Sequence, residues 1–181
     1  MPRPPRDLAP GLFHVYTHAV WAADGLFRDD DDRSVFVREL GRATARAGWR
    51  CLSFCLMGTH YHLVLDVDAG ALAKGMHYLN FRYATHFNQR HLMKGHVHGS
   101  RYDARRIRSE RSLLRVSRYV ARNPVEAGLC ERPEEWRFSS YAGTIGLREQ
   151  YSFVDDRLIL GCLGRPGAYS RAALRNYVEN T

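Results

Sequence analysis

Residues 49–67 read Trp49-Arg50-Cys51-Leu52-Ser53-Phe54-Cys55-Leu56-Met57-Gly58-Thr59-His60-Tyr61-His62-Leu63-Val64-Leu65-Asp66-Val67, two apolar runs of strand length separated by a short turn. In the second run Tyr61, Leu63, Leu65 and Val67 share one parity while His60, His62, Val64 and Asp66 share the other, the period-two pattern of a strand. Upstream, the aromatic and β-branched run Gly11 to Trp21 reads as another strand. Between them Asp29–Asp32 reads as a solvated turn or as the charge cluster ahead of a helix. Val35, Phe36, Leu40, Ala43 and Ala47 then predict a helix with Ser34 as its cap and Gly48 as its stop.

Downstream, Leu72, Met76, Leu79, Tyr83 and Phe87 recur at helical spacing and predict a helix from Ala71 to about Arg90 with a core-facing stripe. Gly95 to Ile107 reads as a loop leading into a fourth, basic strand. Ser109 to Arg122 reads as a helix, with Pro124 marking a kink or break at Asn123. Beyond Leu147 come an apolar patch, Leu158-Ile159-Leu160, and a last helical stretch near Arg171 to Val178. The order strand, helix, strand, strand, helix, strand, then helices predicts an α+β domain: a small antiparallel sheet with helices on one face, the split-βαβ class. The expected organisation is a flexible Pro- and Arg-rich arm at 1–10, one domain over 11–146, and a C-terminal helical extension over 147–181 packing on the core.

With 181 residues, 45% of them hydrophobic, the chain has material for one sizeable core. No apolar run is long enough to span a bilayer and the start shows no signal-like segment, so a cytoplasmic protein without membrane contact is expected. Four cysteines with no CxxC pair argue against a disulfide framework or a cysteine-rich zinc module. The net charge of +8 is unevenly spread: residues 82–122 hold eleven Arg or Lys against Asp103 and Glu110, a local +9, and the rest of the chain sums to −1. One contiguous basic third is the charge distribution that a polyanion such as nucleic acid requires.

Two pairs of residues carry candidate chemistry. His60 and His62, two apart on a strand, project from one face and can share a divalent ion, although side-by-side surface histidines show the same spacing. Tyr119 and Asn123, four apart at the end of a helix, also share a face; a phenol can attack phosphorus and an amide oxygen can ligate a hard cation. Tyr119 lies between Arg118 and Arg122, inside the basic segment.

Together these motifs carry a family resemblance. The segment Cys55 to Leu65, with His60-Tyr61-His62 at its centre, resembles the HUH motif of single-tyrosine transposases. Arg118 to Leu129 and Glu135 to Tyr141 resemble the tyrosine-helix motif and the downstream Trp/Ser-Ser-Tyr signature of REP-associated tyrosine transposases. Gly99-Ser100-Arg101-Tyr102 and the early strand followed by Leu26-Phe27 fit the same pattern, so the likeness spans roughly residues 11 to 146. One departure is Gly58-Thr59 where related sequences have Pro-Asn.

The resemblance implies a ferredoxin-like or RRM-like four-stranded antiparallel sheet, the HUH fold. It makes His60, His62 and Asn123 ligands of Mg²⁺ or Mn²⁺ and Tyr119 the nucleophile. The implied activity is transposition: cleavage and rejoining of single-stranded DNA through a 5′-phosphotyrosine, without ATP, on single-stranded or hairpin substrates. Such a protein is expected in a bacterial cytoplasm, nucleoid-associated when bound, as a monomer or homodimer. Arg101, Arg105, Arg106, Arg108, Arg115, Arg118 and Arg122 are the candidate DNA contacts. Two other readings stay open: a nucleic-acid-binding relative without chemistry, which needs the basic segment alone, and a metal-dependent phosphoesterase using His14, His18, His60 and His62.

Overall fold

The computed structural model describes residues 9–19, 25–99 and 101–180. Most of the arm expected at 1–10, and Val20 and Trp21 of the first expected strand, lie outside the described residues. The elements follow in the order β1 (Gly11–His18), α1 (Asp30–Ala47), β2 (Arg50–Leu56), β3 (His60–Val67), α2 (Ala71–His91), β4 (Asp103–Ile107) and α3 (Glu110–Glu126). A 3₁₀ turn (Pro133–Glu135) and the short helices α4 (Tyr141–Thr144), α5 (Arg157–Gly161) and α6 (Ala168–Glu179) complete the chain. The four strands form one antiparallel sheet in the order β2-β3-β1-β4, the ferredoxin-like arrangement. Among the described residues, no helix is long and apolar enough to cross a membrane.

The alternation of β3 separates two cores, and helices cover both faces of the sheet rather than the one face expected, because Val64 makes the second face apolar as well. Tyr61, Leu63 and Leu65 join Phe13 and Val15 of β1 against Phe36 and Leu40 of α1 and Met76, Leu79 and Tyr83 of α2. On the opposite face Val64 and Ile107 meet Leu113 and Val120 of α3, with Ile159, Leu160, Leu174 and Val178 of α5 and α6 behind them. α3 lies over β2 and β3, so the β1–β4 end of that face stays open. A register shift between Cys51 and Ser53 lets β2 supply Cys51 and Phe54 to one core and Leu52 to the other.

Two helix boundaries differ from the expectation. α1 begins four residues before Ser34: the Asp29 carboxylate accepts from the Asp32 amide (3.0 Å) and is the true cap, while the Ser34 hydroxyl bonds back to Asp30 O within the helix. Acidic residues suit the first turn because unpaired amides and the helix dipole favour negative charge there. Gly48 ends α1 in the left-handed conformation, as its position predicts. α3, in contrast, does not break at Asn123 but runs through Pro124 to Glu126. So near the end of the helix a proline removes a single backbone donor, and Ala127 N and Leu129 N still bond to Asn123 O and Pro124 O.

The Glu135–Tyr141 segment has a structural task. Leu56 N donates to Phe138 O (2.9 Å), Ser140 N to Phe54 O (3.0 Å) and the Trp136 indole to Leu56 O (2.8 Å), which covers the outer edge of β2.

Candidate active site

β3 and β1 bring the histidines together through register. Tyr16 pairs with His62 and His14 with Val64, and these side chains share the face that α3 leaves open. Across it stands Tyr119, whose ring lies 5.3 Å from that of His62 and 6.0 Å from that of His14. Tyr119 is 45% exposed, a position open to a large substrate. One helical turn on, the Asn123 Oδ1 lies 3.3 Å from His60 Nε2. The His60 and His62 rings are 5.0 Å apart and meet edge to face. His60, His62 and Tyr119 therefore line one cleft of about 650 Å³ within one chain, and Asn123, buried beside it, reaches His60.

The supporting contacts fix which ring nitrogens point inward. Thr59 Oγ1 lies 3.1 Å from His60 Nδ1, and His14 Nε2 lies 3.1 Å from His62 Nδ1. Each Nδ1 is thus engaged behind the ring, and His60 Nε2 turns towards Asn123. The Gly58-Thr59 turn is itself anchored: Gly58 O accepts from Leu26 N and Phe27 N, and Thr59 O from Ala19 N. Its threonine supplies the hydroxyl that holds His60.

Burial pushes the His14 imidazole down to about 4, and the Arg105 guanidinium adds to the shift. His14 is therefore neutral near pH 7, with one lone pair to offer His62. Sequence reasoning weighed His14 only in a histidine metal site; its place behind His62 depends on strand register. Tyr16 also lines the cleft under Arg105 (5.6 Å to the ring centroid), and its shared parity with His14 is the sequence signal for that position.

The arginines divide. Arg105 and Arg115 line the cleft, and Arg101 and Arg108 are exposed near it in sequence, flanking β4. Arg106 also borders the cleft, but its guanidinium lies over Phe13 and donates to Pro10 O (2.7 Å). Arg118 stacks over Tyr177 and Arg122 donates to Val178 O (3.1 Å), so both reach towards α6. His18's side chain lies outside the described residues, and no group of three His, Cys, Asp or Glu side chains able to hold a metal occurs among those described.

The family model for IS200-like transposases matches residues 12–123, more than half of the chain. The chain belongs to the IS200-like transposase family. The match covers the sheet, α1, α2 and α3 as far as Asn123, so each of the four converging side chains lies within the family's own region. The fold agrees with that of a solved REP-associated tyrosine transposase, a structure bound to a REP hairpin. The TM-score is 0.68 at 13% identity, covering 84% of this chain and 90% of the other. A protein from Deinococcus radiodurans assigned as a transposase gives a TM-score of 0.45 at 16% identity over 66% of this chain and 95% of that one. No curated protein matches the sequence.

Proposed function

We propose that this transposase cleaves and rejoins single-stranded or hairpin DNA by transesterification, with Tyr119 as nucleophile and a Mg²⁺ or Mn²⁺ ion held by His60, His62 and Asn123. The observation that carries the reading is the convergence of Tyr119 with both histidines on one open cleft, with the Asn123 amide oxygen against His60. The amide oxygen is the hard donor that Mg²⁺ or Mn²⁺ prefers, the two imidazoles complete a three-donor set, and both Nδ1 atoms are already occupied behind the rings. When bound, the ion would supply Lewis-acid stabilisation of charge on the scissile phosphate.

The chain's own residues do the rest. Arg105 and Arg115 attract the phosphate backbone to the cleft. The phenolate oxygen of Tyr119 attacks phosphorus, the bond to the 3′-oxygen breaks, and the protein is left on the new 5′-phosphate. The phenol's proton ends on the departing 3′-hydroxyl. A second DNA 3′-hydroxyl reverses the attack and joins strands, since the phosphotyrosine conserves the diester bond energy. α3 holds Tyr119 over His62 because its opposite side is packed on α5 and α6, and such fixed geometry is what in-line displacement needs.

The test is a labelled single-stranded hairpin oligonucleotide incubated with Mn²⁺ and analysed under denaturing conditions. Wild-type protein forms a covalent adduct, Tyr119→Phe forms none while still binding the oligonucleotide, and His60→Ala with His62→Ala abolishes the Mn²⁺-dependent reaction. An adduct formed by Tyr119→Phe refutes the nucleophile, and full cleavage in EDTA refutes the metal. Binding without any adduct by the wild type favours the relative without chemistry.

A further inference from the structure

On the far side of the sheet from the cleft, α1 and α2 pack side by side. Their outer face carries a second concentration of positive charge, which the linear sequence conceals. α1 places Arg38, Arg42 and Arg46 at successive four-residue steps, one stripe along the helix. α2 contains no Asp or Glu in its 21 residues and adds Lys74 and Arg82. Arg38, Arg42 and Arg82 surround a single carboxylate, Glu39, which is 4% exposed while they are 56%, 53% and 49% exposed.

The count along the chain cancels because Asp29–Asp32 precede these arginines. In space those acids are committed elsewhere. Arg90 holds Asp29, Asp31 and Asp32, and Arg33 and Arg137 hold Asp30. The stripe beyond Glu39 therefore faces solvent as net cation.

Between the helices runs a groove of about 590 Å³ bordered by Arg46, Lys74, His77, Tyr78 and Phe81. Arg46 lies over the Tyr78 ring at 5.4 Å. Phe81 is 61% exposed and its ring is stacked on His77 at an interplanar angle of 17°. Flat exposed aromatics beside a row of cations form the arrangement that grips unpaired nucleic acid, with bases on the rings and phosphates on the charges. A duplex keeps its base faces stacked inside and has no use for Phe81.

We propose that the α1–α2 face is a second DNA-binding surface, separate from the cleft, which takes an unpaired strand with its phosphates along Arg38, Arg42 and Arg46 and a base on Phe81. The proposal rests on the DNA-processing reading above. It would let one molecule hold DNA on both sides of its sheet, one stretch at Tyr119 and another behind.

Fluorescence anisotropy with a labelled oligothymidylate, over a series of salt concentrations and in the Tyr119→Phe background, tests it. The combined Arg38→Gln, Arg42→Gln and Arg46→Gln variant is expected to lower the slope of log affinity against log salt by about 2, given roughly 0.7 per phosphate contact on a single strand. Phe81→Ala, with thermal unfolding as the folding control, is expected to weaken binding roughly 5- to 150-fold, the range for one stacked base. With Tyr119 restored, saturating oligonucleotide should give wild-type adduct rates in both variants.

If neither variant changes slope or affinity while Arg105→Ala with Arg115→Ala weakens binding, the second surface is refuted and the cleft reading stands. If Phe81→Ala is silent and a blunt duplex binds as well as the single strand, the assignment to an unpaired strand is refuted. If the unaltered protein binds no DNA, the proposed function falls and this surface with it.

Discussion

His14 gives the most informative single substitution. Its Nε2 lies 3.1 Å from His62 Nδ1, with His14 8% and His62 3% exposed. For His62 to present the lone pair of its Nε2 to an ion it must carry its proton on Nδ1, and a neutral His14 has a lone pair with which Nε2 can accept that proton. His14→Leu keeps most of the bulk but deletes the acceptor. Removing such an orienting partner typically lowers metal affinity about 10- to 100-fold, and losing a buried hydrogen bond costs about 1 to 3 kcal/mol of stability. His14→Gln, whose amide oxygen can accept the same proton, should recover much of both. Mn²⁺ affinity measured by isothermal titration, alongside thermal unfolding, reads the two effects separately. Equal Mn²⁺ affinity in wild type and His14→Leu, with His62→Ala abolishing binding, would refute the orienting role while leaving the ligand assignment intact. Unchanged affinity in His62→Ala would refute the ligand assignment itself.

Other consequences concern stability. Burial pushes His98 down to about 4, from an ordinary value near 6.5. The unfolded chain therefore binds the extra proton first, and stability is expected to fall as pH drops from about 6.5 to 4, by up to about 3 kcal/mol. Denaturant titrations across that window should show the loss, and a proton-NMR titration placing His98 near 6.5 would contradict it. Gly75→Ala should destabilise by about 1 to 3 kcal/mol despite alanine's better helix propensity. A Cβ there would collide with the Trp49 ring, which is 5% exposed and anchored by its indole donating to Ala71 O. A midpoint shift towards higher denaturant would refute that packing argument.

Much of the scaffold was legible because its determinants are local. The alternation of 60–67, the stripe Leu72 to Phe87 and the stop at Gly48 each act over a few residues, and each element appears where its pattern predicts. The errors have one source. Residue preference alone picks out Ser34 and Pro124, whereas Asp29 is a better cap further upstream, and Pro124 stands where only one backbone donor is lost.

Local patterning dictates the strand and helix order, the shared faces of His60 with His62 and of Tyr119 with Asn123, and the basic third of the chain. Tertiary structure alone decided that these two faces meet, because that depends on α3 crossing β2 and β3 rather than on any spacing. It also put His14 behind His62 through strand register and drew Arg118 and Arg122 towards α6. Charge shows the difference most plainly. A linear sum pairs Asp29–Asp32 with their neighbours in sequence, whereas in the fold they also bind Arg90 and Arg137 from distant elements, and Arg38, Arg42 and Arg46 of α1 are left facing solvent. Electrostatic pairing is set by distance in space, and only the packed chain fixes those distances.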